Sequence, residues 1–560
     1  MPPSPHGPRQ TDTSSAARSR RPSFRTVALI GTVILALVVA LVVIPRLNGP
    51  RQRSADTRAT SAPPDPASQR IAAGFDPSPG KFTLPDAETL TDDSISASLA
   101  LDSGAARFGG GIGLSFEATE LASPVWDSKE SNIDEMLSAL SKPVLRFGGN
   151  SVDRRVWWTS SDEPAPSWAR ATVTPEDLDR LAETLETTDS RVTLGVDLGH
   201  DDPDRAADMV AHARKAFGDR LLAVSVGNEP NGFFHKNQPQ LAMRDSSWGT
   251  DDYQRELEDY DHAIQSNSPG TPMAGPGAYD AAWMRAFAQS QVNDKAALTM
   301  HWYPLWDCEG PASSIANPTL EDLTSPKLRA QARKIIGLGE NVAHESDLPF
   351  WLEETGPTSC PGTNETSRTH AQALWTSDFT LTAAESGASQ VAFHSTLQAC
   401  KGGAPMSPLC AQGPKDDPGE IFQGRTSYLS LMQLGWIPEG KVLTPSASGD
   451  GRVMVHGVLA DDGTLTLVIV DMRAPSSAAE PVPVRVSAPR SLSGDAPKTW
   501  HPAEGSTLSG NTLDADYSAL GAPAPVGDKL AGLTLGRGTP LTLASAAGTT
   551  TVLTLTPDTE

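Results

Sequence analysis

The chain has 560 residues, which is enough for two or more domains. Its 68 Asp and Glu residues outnumber 45 Lys and Arg, and the formal net charge of −23 argues against general binding of nucleic acid or another polyanion. No GxGxxG motif opens a helix, no GxxxxGK[ST] loop occurs, and the cysteine spacing fits no common zinc pattern, so we predict neither cofactor nor metal.

The N-terminal segment is typical of a membrane anchor. Residues 1–26 are polar and contain five arginines, as expected of a cytoplasmic basic tail. The uncharged apolar run Val27–Ile44 predicts a transmembrane signal anchor over 27–45, with a cleaved signal as the alternative. Residues 46–81 are rich in Pro, Ser and Ala and predict a disordered linker. We therefore expect a single-pass protein of the cell membrane whose remaining chain lies outside the cytoplasm.

Eight short apolar segments that end in turn or polar residues predict eight strands. These segments are 108–117, 143–150, 191–199, 221–229, 271–277, 296–304, 348–354 and 389–395. Most gaps between them hold a plausible amphipathic helix, for example 174–190 and 203–219. Alternating strands and helices predict a parallel sheet, so the fold class is α/β, and eight strands favour a (β/α)8 TIM barrel over 104–435.

The segment after the barrel predicts a second domain. After about residue 436 the pattern changes to short alternating strands without helices, which predicts a β-sandwich over 436–560. The segment 82–101, which precedes the barrel, could add a strand to the barrel.

The four cysteines all follow the last three predicted barrel strands. They are Cys308, Cys360, Cys400 and Cys410. Outside the cytoplasm they favour two disulfides, for which the sequence alone allows three pairings. Because the loops after the seventh and eighth strands are neighbours around a barrel, we predict that Cys360 and Cys400 each lie in a disulfide near the active site.

Two glutamates lie where a sugar-cleaving barrel needs them. Glu229 and Glu354 each end a predicted strand, and barrel enzymes take their catalytic side chains from the carboxyl ends of strands. Glycoside hydrolysis usually requires one carboxylic acid and one carboxylate, although Glu229 in isolation could equally cap the next helix. Because side chains alternate along a strand, only one of Glu353 and Glu354 is expected to point into the barrel mouth, and the residues alone leave that choice open.

Other polar and aromatic side chains are candidates for the same site. His301 and Tyr303 share a strand face, and Tyr303 could either hydrogen-bond a nucleophilic carboxylate and lower its pKa or simply pack. Arg146 lies within a strand, where carboxylates at the barrel mouth would be suitable partners. Five tryptophans could stack on sugar faces or belong to the core: Trp126, Trp157, Trp158, Trp302 and Trp306.

The segments LRFGGNSVDRRVWW, VGNEPNGF, MHWYP and WLEETG, in that order, resemble glycoside hydrolase family 79, which includes heparanase and microbial β-glucuronidases. The resemblance implies a (β/α)8 barrel followed by a β-sandwich that also takes in a strand from before the barrel, here within 82–103. It also implies a retaining double displacement. It implies that Glu229 is the acid/base. It also implies that Glu354, which directly precedes Thr355, is the nucleophile in preference to Glu353.

The same resemblance assigns substrate-binding residues. Asn228 would hold the 2-hydroxyl of the sugar, and Tyr303 would lie beside the nucleophile. Glu117 and Asn150 occupy positions where relatives contact sugar hydroxyls, and we place His301 in the same group because it shares a face with Tyr303.

One departure from the family pattern concerns the sugar carboxylate. Family members that bind a uronic acid use a tyrosine in the loop after the nucleophile and a second tyrosine after the eighth strand. Here these loops read TGPTSCPGTN and TLQACKGG and contain no tyrosine. Lys401 could either replace them as a point charge or be a solvated loop residue. We expect a membrane-anchored retaining β-glycoside hydrolase, β-glucuronidase-like, that acts on carbohydrate. The alternatives are a hydrolase for a non-uronic hexoside or arabinoside, and a non-catalytic carbohydrate-binding cell-surface protein.

Overall fold

The computed structural model describes residues 71–558 apart from 87–93, 103, 238, 309–313, 315, 360–364, 477 and 491–498. All described residues belong to one compact unit, Gln69–Glu560. Within them, no helix combines the length and the apolar character needed to cross a membrane. The predicted basic tail, the predicted anchor over 27–45 and most of the predicted linker lie outside the described residues.

Eight parallel strands form a closed barrel in which each pairs with the next along the chain and the eighth pairs with the first. Their bounds are β1 Ile112–Glu117, β2 Val144–Gly148, β3 Arg191–Val196, β4 Leu221–Val226, β5 Met273–Pro276, β6 Lys295–Trp302, β7 Phe350–Thr355 and β8 Ala388–His394. Each overlaps one of the eight predicted strands, so the predicted barrel is confirmed.

Helices connect successive barrel strands. They are Ile133–Ser138, Pro175–Thr187, Pro203–Phe217, Thr250–Asn267, Ala281–Gln289, Leu320–Leu323, Pro326–Glu345 and His370–Glu385, and Thr426–Gly435 follows β8. Pro175–Thr187 begins where Asp177 accepts a hydrogen bond from the Thr174 backbone at 2.9 Å, which closes a capping box. Leu178, Leu181 and Leu185 then recur at helical spacing and are buried, which fixes this helix against the barrel.

Two small sheets pair Val156–Trp158 with Ala171–Val173 and Leu409–Ala411 with Phe422–Gly424. The other strands form two layers joined by the strand Gly440–Ala447. Its first half pairs with Val453–Ala460 and its second half with Ile95–Ala100, which comes from the segment before the barrel. The first layer also contains Phe75–Asp76, Arg107–Phe108, Leu465–Asp471, Thr499–Ser509, Ala519–Gly521, Ala524–Pro525, Leu535–Gly536 and Thr549–Pro557, and the second contains Val482–Val486 and Leu541–Ser545. A short helix, Asp528–Ala531, lies between these strands in the chain.

The structure differs from the predicted disorder over 46–81 in the last part of that range. Phe75–Asp76 pairs with Ala519–Gly521, and the Phe75 ring lies 6.2 Å from that of Trp436. The segment was predicted to be disordered because its overall composition is polar, and that composition gives no sign of these apolar contacts. The strand Arg107–Phe108 likewise pairs with Gly440–Ala447, so the chain leaves the sandwich slightly later than residue 104.

A buried cluster of charges joins the barrel to the sandwich. His456 on a sandwich strand contacts Glu385 at 2.5 Å and Asp378 at 3.1 Å, and both carboxylates belong to the barrel helix His370–Glu385. Arg329 on the preceding barrel helix also binds Asp378, at 2.8 Å. Burial disfavours the charged imidazole, but Glu385 and Asp378 outweigh burial and raise the pKa of His456 to about 9.

We expect this raised pKa to make the stability of the domain pair depend on pH. The stabilisation is fully present below about pH 6.5, the ordinary histidine value, and is lost as the pH rises through 9. Urea unfolding at pH 6 and pH 9.5 should show a loss of a few kcal/mol in the natural protein. His456→Gln should reduce the difference, and an unchanged difference in that variant would contradict the assignment.

Candidate active site

Glu229 and Glu354 meet at the carboxyl end of the barrel. Glu229 lies three residues beyond β4, Glu354 lies near the end of β7, and one carboxylate oxygen of each lies within 4.8 Å of the other. The side chain of Glu229 is 38% exposed, whereas that of Glu354 is 8% exposed. The structure therefore places one accessible and one enclosed carboxyl group within 4.8 Å of each other at the barrel mouth.

A β-bulge in β7 changes the expected alternation of its side chains. Leu352 pairs with Val391 and Thr355 pairs with Phe393, so three steps along β7 match two steps along β8. The extra residue lets both carboxylates face Arg146, but of the two only Glu354 keeps any exposure toward the barrel mouth. Glu353 is fully buried and lies 3.8 Å from the Arg146 Nε.

Arg146 is the common partner of the catalytic candidates. From β2 its guanidinium donates to Glu354 at 2.5 Å, to the Asn228 Oδ1 at 2.8 Å and to the Ser115 hydroxyl at 3.0 Å. The expected pairing of Arg146 with carboxylates at the barrel mouth is thus confirmed. With its guanidinium held from three sides, Arg146 acts as a fixed positive charge beside Glu354.

The surroundings of Glu354 favour its ionised form. Burial alone would raise its pKa, but the positive charges of His301, Arg146 and His394 and a hydrogen bond from Tyr303 lower the pKa of Glu354 to about 2. The Tyr303 hydroxyl donates to the Glu354 Oε1 at 2.7 Å, as expected from the sequence. A carboxylate held ionised in an enclosed site is suited to attack a carbon atom.

Replacing Tyr303 by Phe should raise the pKa of Glu354, because the carboxylate loses a hydrogen bond that favours its charged form. The acidic limb of kcat/KM on an aryl glycoside should then move to higher pH, by about one unit. Tyr517→Phe, on an exposed tyrosine of the sandwich, provides the matched control. An acidic limb that stays in place would show that Tyr303 does not control Glu354.

His301 lies between the carboxylates of Glu229 and Glu353. Its Nδ1 is 3.3 Å from Glu229 and its Nε2 is 3.6 Å from Glu353. Burial and the charge of Arg146 act to lower the pKa of His301, but Glu354, Glu229 and Glu353 raise it to about 9. One atom each of Glu229, His301 and Glu354 fall close enough to ligate a metal ion. A protonated imidazole has no free lone pair, so the arrangement is better suited to holding protons than a cation.

Asp153 holds the loop that carries Asn228 and Glu229 through hydrogen bonds to backbone amides. This buried carboxyl accepts hydrogen bonds from the backbone of Asn228 at 2.8 Å, Leu198 at 2.9 Å and Gly199 at 3.1 Å. Glu229 adopts a left-handed backbone conformation with φ of 49°, an unfavourable geometry for a residue with a Cβ. Asp153 lies within LRFGGNSVDRR, but no residue pattern there marks it as a support of this loop.

Glu117 and Asn150 lie at the ends of neighbouring strands. Glu117 ends β1 and accepts a hydrogen bond from the Ser151 backbone at 2.8 Å, while Asn150 follows β2 and is exposed. The structure thus brings Asn228, His301 and Tyr303 into direct or shared contact with Glu229 and Glu354. Glu117 and Asn150 lie on the β1–β2 side of the same mouth.

Two further residues at the mouth were missed from the sequence. His394, at the end of β8, lies 3.7 Å from Glu354. Glu120, which follows β1, accepts a hydrogen bond from the Leu397 backbone at 2.7 Å, and burial raises the pKa of Glu120 to about 8. The sequence did not identify His394 because it belongs to no motif. It did not identify Glu120 because nothing in the residue spacing predicts a contact between Glu120 and the loop after β8.

Most of the candidate tryptophans are structural. Trp126, Trp158 and Trp302 are buried, and the guanidinium of Arg205 covers one face of Trp157 at 3.7 Å. Trp306, which is 59% exposed, keeps the access that sugar stacking requires.

The predicted disulfides are confirmed in part. Cys400 pairs with Cys410, with their Cα atoms 4.9 Å apart, and closes the loop after β8. Cys308 is also disulfide-bonded. Cys360 lies outside the described residues.

Neither a family model nor a curated protein sequence matches this chain. Solved structures do. A 4-O-α-L-rhamnosyl-β-D-glucuronidase from Fusarium oxysporum 12S aligns with a TM-score of 0.59 at 16% identity, covering 82% of this chain and 100% of its own. The GH51 arabinofuranosidase from Xanthomonas axonopodis pv. citri aligns with a TM-score of 0.58 at 14% identity, and the alignment covers 83% of this chain and 100% of the arabinofuranosidase. A bifunctional glucanase-xylanase from a metagenome library aligns with a TM-score of 0.55 at 12% identity, and the alignment covers 84% of this chain and 100% of the glucanase-xylanase. The chain thus has a barrel fold found in glycoside hydrolases. Membership of family 79 is not shown by these similarities.

Proposed function

We propose that the protein is a retaining β-glycoside hydrolase in which Glu354 is the nucleophile and Glu229 is the acid/base. The observation that carries the proposal is the approach of the two carboxylates to within 4.8 Å. Retaining enzymes hold the pair about 5–5.5 Å apart, whereas inverting enzymes need about 6.5–9.5 Å to admit a water molecule between acid, base and sugar.

The two carboxyl groups would share the chemistry in two steps. First, an oxygen of Glu354 bonds to the anomeric carbon, the glycosidic C–O bond breaks, and Glu229 gives its proton to the departing oxygen. Next, Glu229 removes a proton from water, the water oxygen bonds to the anomeric carbon, and Glu354 leaves as a carboxylate. The accessibility of Glu229 and the low pKa of Glu354 support this division of roles.

Within this class, we propose a β-glucuronide as the substrate, and a neutral hexoside or arabinoside as the alternative. The motif resemblance favours the uronide. The loops differ from the family pattern because they contain no tyrosine. The Leu397 amide already binds Glu120, and Lys401 is an exposed residue of a turn. A carboxylate without a partner in an enclosed site would be costly, so a uronide requires Lys401 or other backbone amides.

Aryl β-glucuronide and aryl β-glucoside, which differ only at carbon six, test the choice. A clear preference for the glucuronide that Lys401→Ala abolishes would support recognition of the carboxylate by Lys401. A preference for the glucoside would defeat the uronide proposal and leave the hydrolase. Absence of turnover on any aryl glycoside would instead favour a non-catalytic carbohydrate-binding protein.

We also propose that Val27–Ile44 anchors the enzyme in the cell membrane with its catalytic part outside. The uncharged apolar run behind a group of arginines supports this. Membrane fractionation of cells that express the full chain checks it. A soluble mature protein that starts after residue 45 would mean a cleaved signal.

A further inference from the structure

Exposed aromatic side chains are concentrated on three adjacent loops at the barrel mouth. Seven large apolar or aromatic side chains of the described residues are exposed: Phe234, Leu241, Tyr279, Trp306, Leu338, Ile421 and Tyr517. Three of the four aromatic ones follow β4, β5 and β6 in turn, with exposures of 38% for Phe234, 60% for Tyr279 and 59% for Trp306. These rings are accessible to a ligand that binds beside Glu229 and Glu354.

The strand order gives this aromatic rim, defined by Phe234, Tyr279 and Trp306, a definite position. In the closed barrel β5 lies opposite β1, and β6 lies opposite β2. Glu117 and Asn150 at the ends of β1 and β2 therefore face the aromatic rim across the mouth. Glu229 lies on the rim side, since it belongs to the same β4 loop as Phe234.

The backbone around the rings is held in place. Leu305, next to Trp306, bridges to Thr358 in the loop after β7. Asp280, next to Tyr279, caps the helix Ala281–Gln289 through the Ala282 amide at 2.8 Å. Phe233, next to Phe234, accepts a hydrogen bond from the Met243 amide at 2.8 Å. The rings are thus presented on fixed backbone at the protein surface.

We infer that the aromatic rim binds the leaving-group sugars of an oligosaccharide or polysaccharide, an inference that rests on the proposed function. If Glu229 protonates the departing oxygen, the leaving part of the substrate starts at Glu229 and continues over the β4–β6 loops. The flat C–H faces of pyranose rings are apolar, and Tyr and Trp combine an apolar face with a polar edge that binds hydroxyls. The reacting sugar then lies toward Glu117 and Asn150, and the chain of further sugars crosses the mouth to the rim.

Substrates with and without leaving-group sugars test this placement in the full chain. A β-glucosyl or β-glucuronyl fluoride carries nothing beyond the reacting carbon, whereas β-linked gluco-oligosaccharides and hyaluronan oligosaccharides extend from it. The ratio of kcat/KM for the oligosaccharide to that for the fluoride should fall about tenfold in Trp306→Ala and in Tyr279→Ala, because each substitution removes apolar contact area. Tyr517→Ala, an equally exposed aromatic of the sandwich, should leave the ratio unchanged.

A binding measurement separates this inference from the proposed function. In Glu354→Gln, which should bind without hydrolysis, isothermal titration calorimetry with the same oligosaccharides should detect binding. Binding should persist with Trp306→Phe, which keeps an aromatic face, and weaken about tenfold with Trp306→Ala. If the natural protein cleaves no probe yet binds in this Trp306-dependent way, the hydrolase proposal fails and the binding surface stands. If it cleaves fluorides and oligosaccharides and the ratio is unaffected by Trp306→Ala and Tyr279→Ala, the rim inference is overturned and the hydrolase remains.

Discussion

Glu354→Gln is expected to lower kcat/KM on every glycoside by about 10⁴-fold or more, because the amide cannot attack the anomeric carbon. Gln keeps the shape of the side chain and an oxygen that can accept from Tyr303, so the fold should persist. Initial rates on an activated aryl glycoside measure the loss. Glu345→Gln, at an exposed carboxyl group at the end of a barrel helix, is the matched control.

Glu229→Gln should behave differently, which distinguishes the two roles. Substrates with good leaving groups need little protonation on departure, so they should retain much of their first-step rate while poor leaving groups lose it. Azide added to Glu229→Ala should restore turnover by replacing water and give a product of retained configuration. With Glu354→Ala, azide should give the inverted product. The same loss on good and poor leaving groups in both Gln variants would contradict the division of roles.

The barrel was predictable from the sequence because its signal is local and repeated. Each strand shows a short apolar run and a polar end, and each helix such as Pro175–Thr187 carries its own cap and apolar stripe. The contact between Arg146 and Glu354 was foreseeable for a related reason. A cation within a buried strand requires a carboxylate, and the carboxyl ends of barrel strands converge.

The inner arrangement of the site depends on features that no local pattern contains. The bulge in β7 appears only when that strand pairs with β6 and β8, so the inward position of Glu353 could not follow from alternation. Asp153 supports Asn228 from 75 residues away through backbone amides, which any sequence provides. Exposure also had to be observed: Trp302 and Trp306 lie four residues apart, yet one is core and the other lies on the rim.

Arg146→Met is expected to cost about 3–5 kcal/mol of unfolding free energy, because it removes the arginine that faces two buried carboxylates. Without that charge the pKa of Glu354 should rise, so the acidic limb of any remaining activity should move to higher pH. Urea unfolding at pH 7 and the pH profile of kcat/KM measure the two effects.

A double-mutant cycle with Glu353 shows whether Arg146 stabilises the fold through charge. Glu353 is fully buried and contacts Arg146 at 3.8 Å and His301 at 3.6 Å. In Arg146→Met its only charged partner among these residues would be His301, so Glu353→Gln should cost less stability in that background than in the natural protein. Activity should not return in the double variant, since Glu354 still lacks Arg146. Additive losses would mean that Arg146 stabilises the core by packing and not by neutralising Glu353. The charge of Arg146 would then act on Glu354 and not on Glu353.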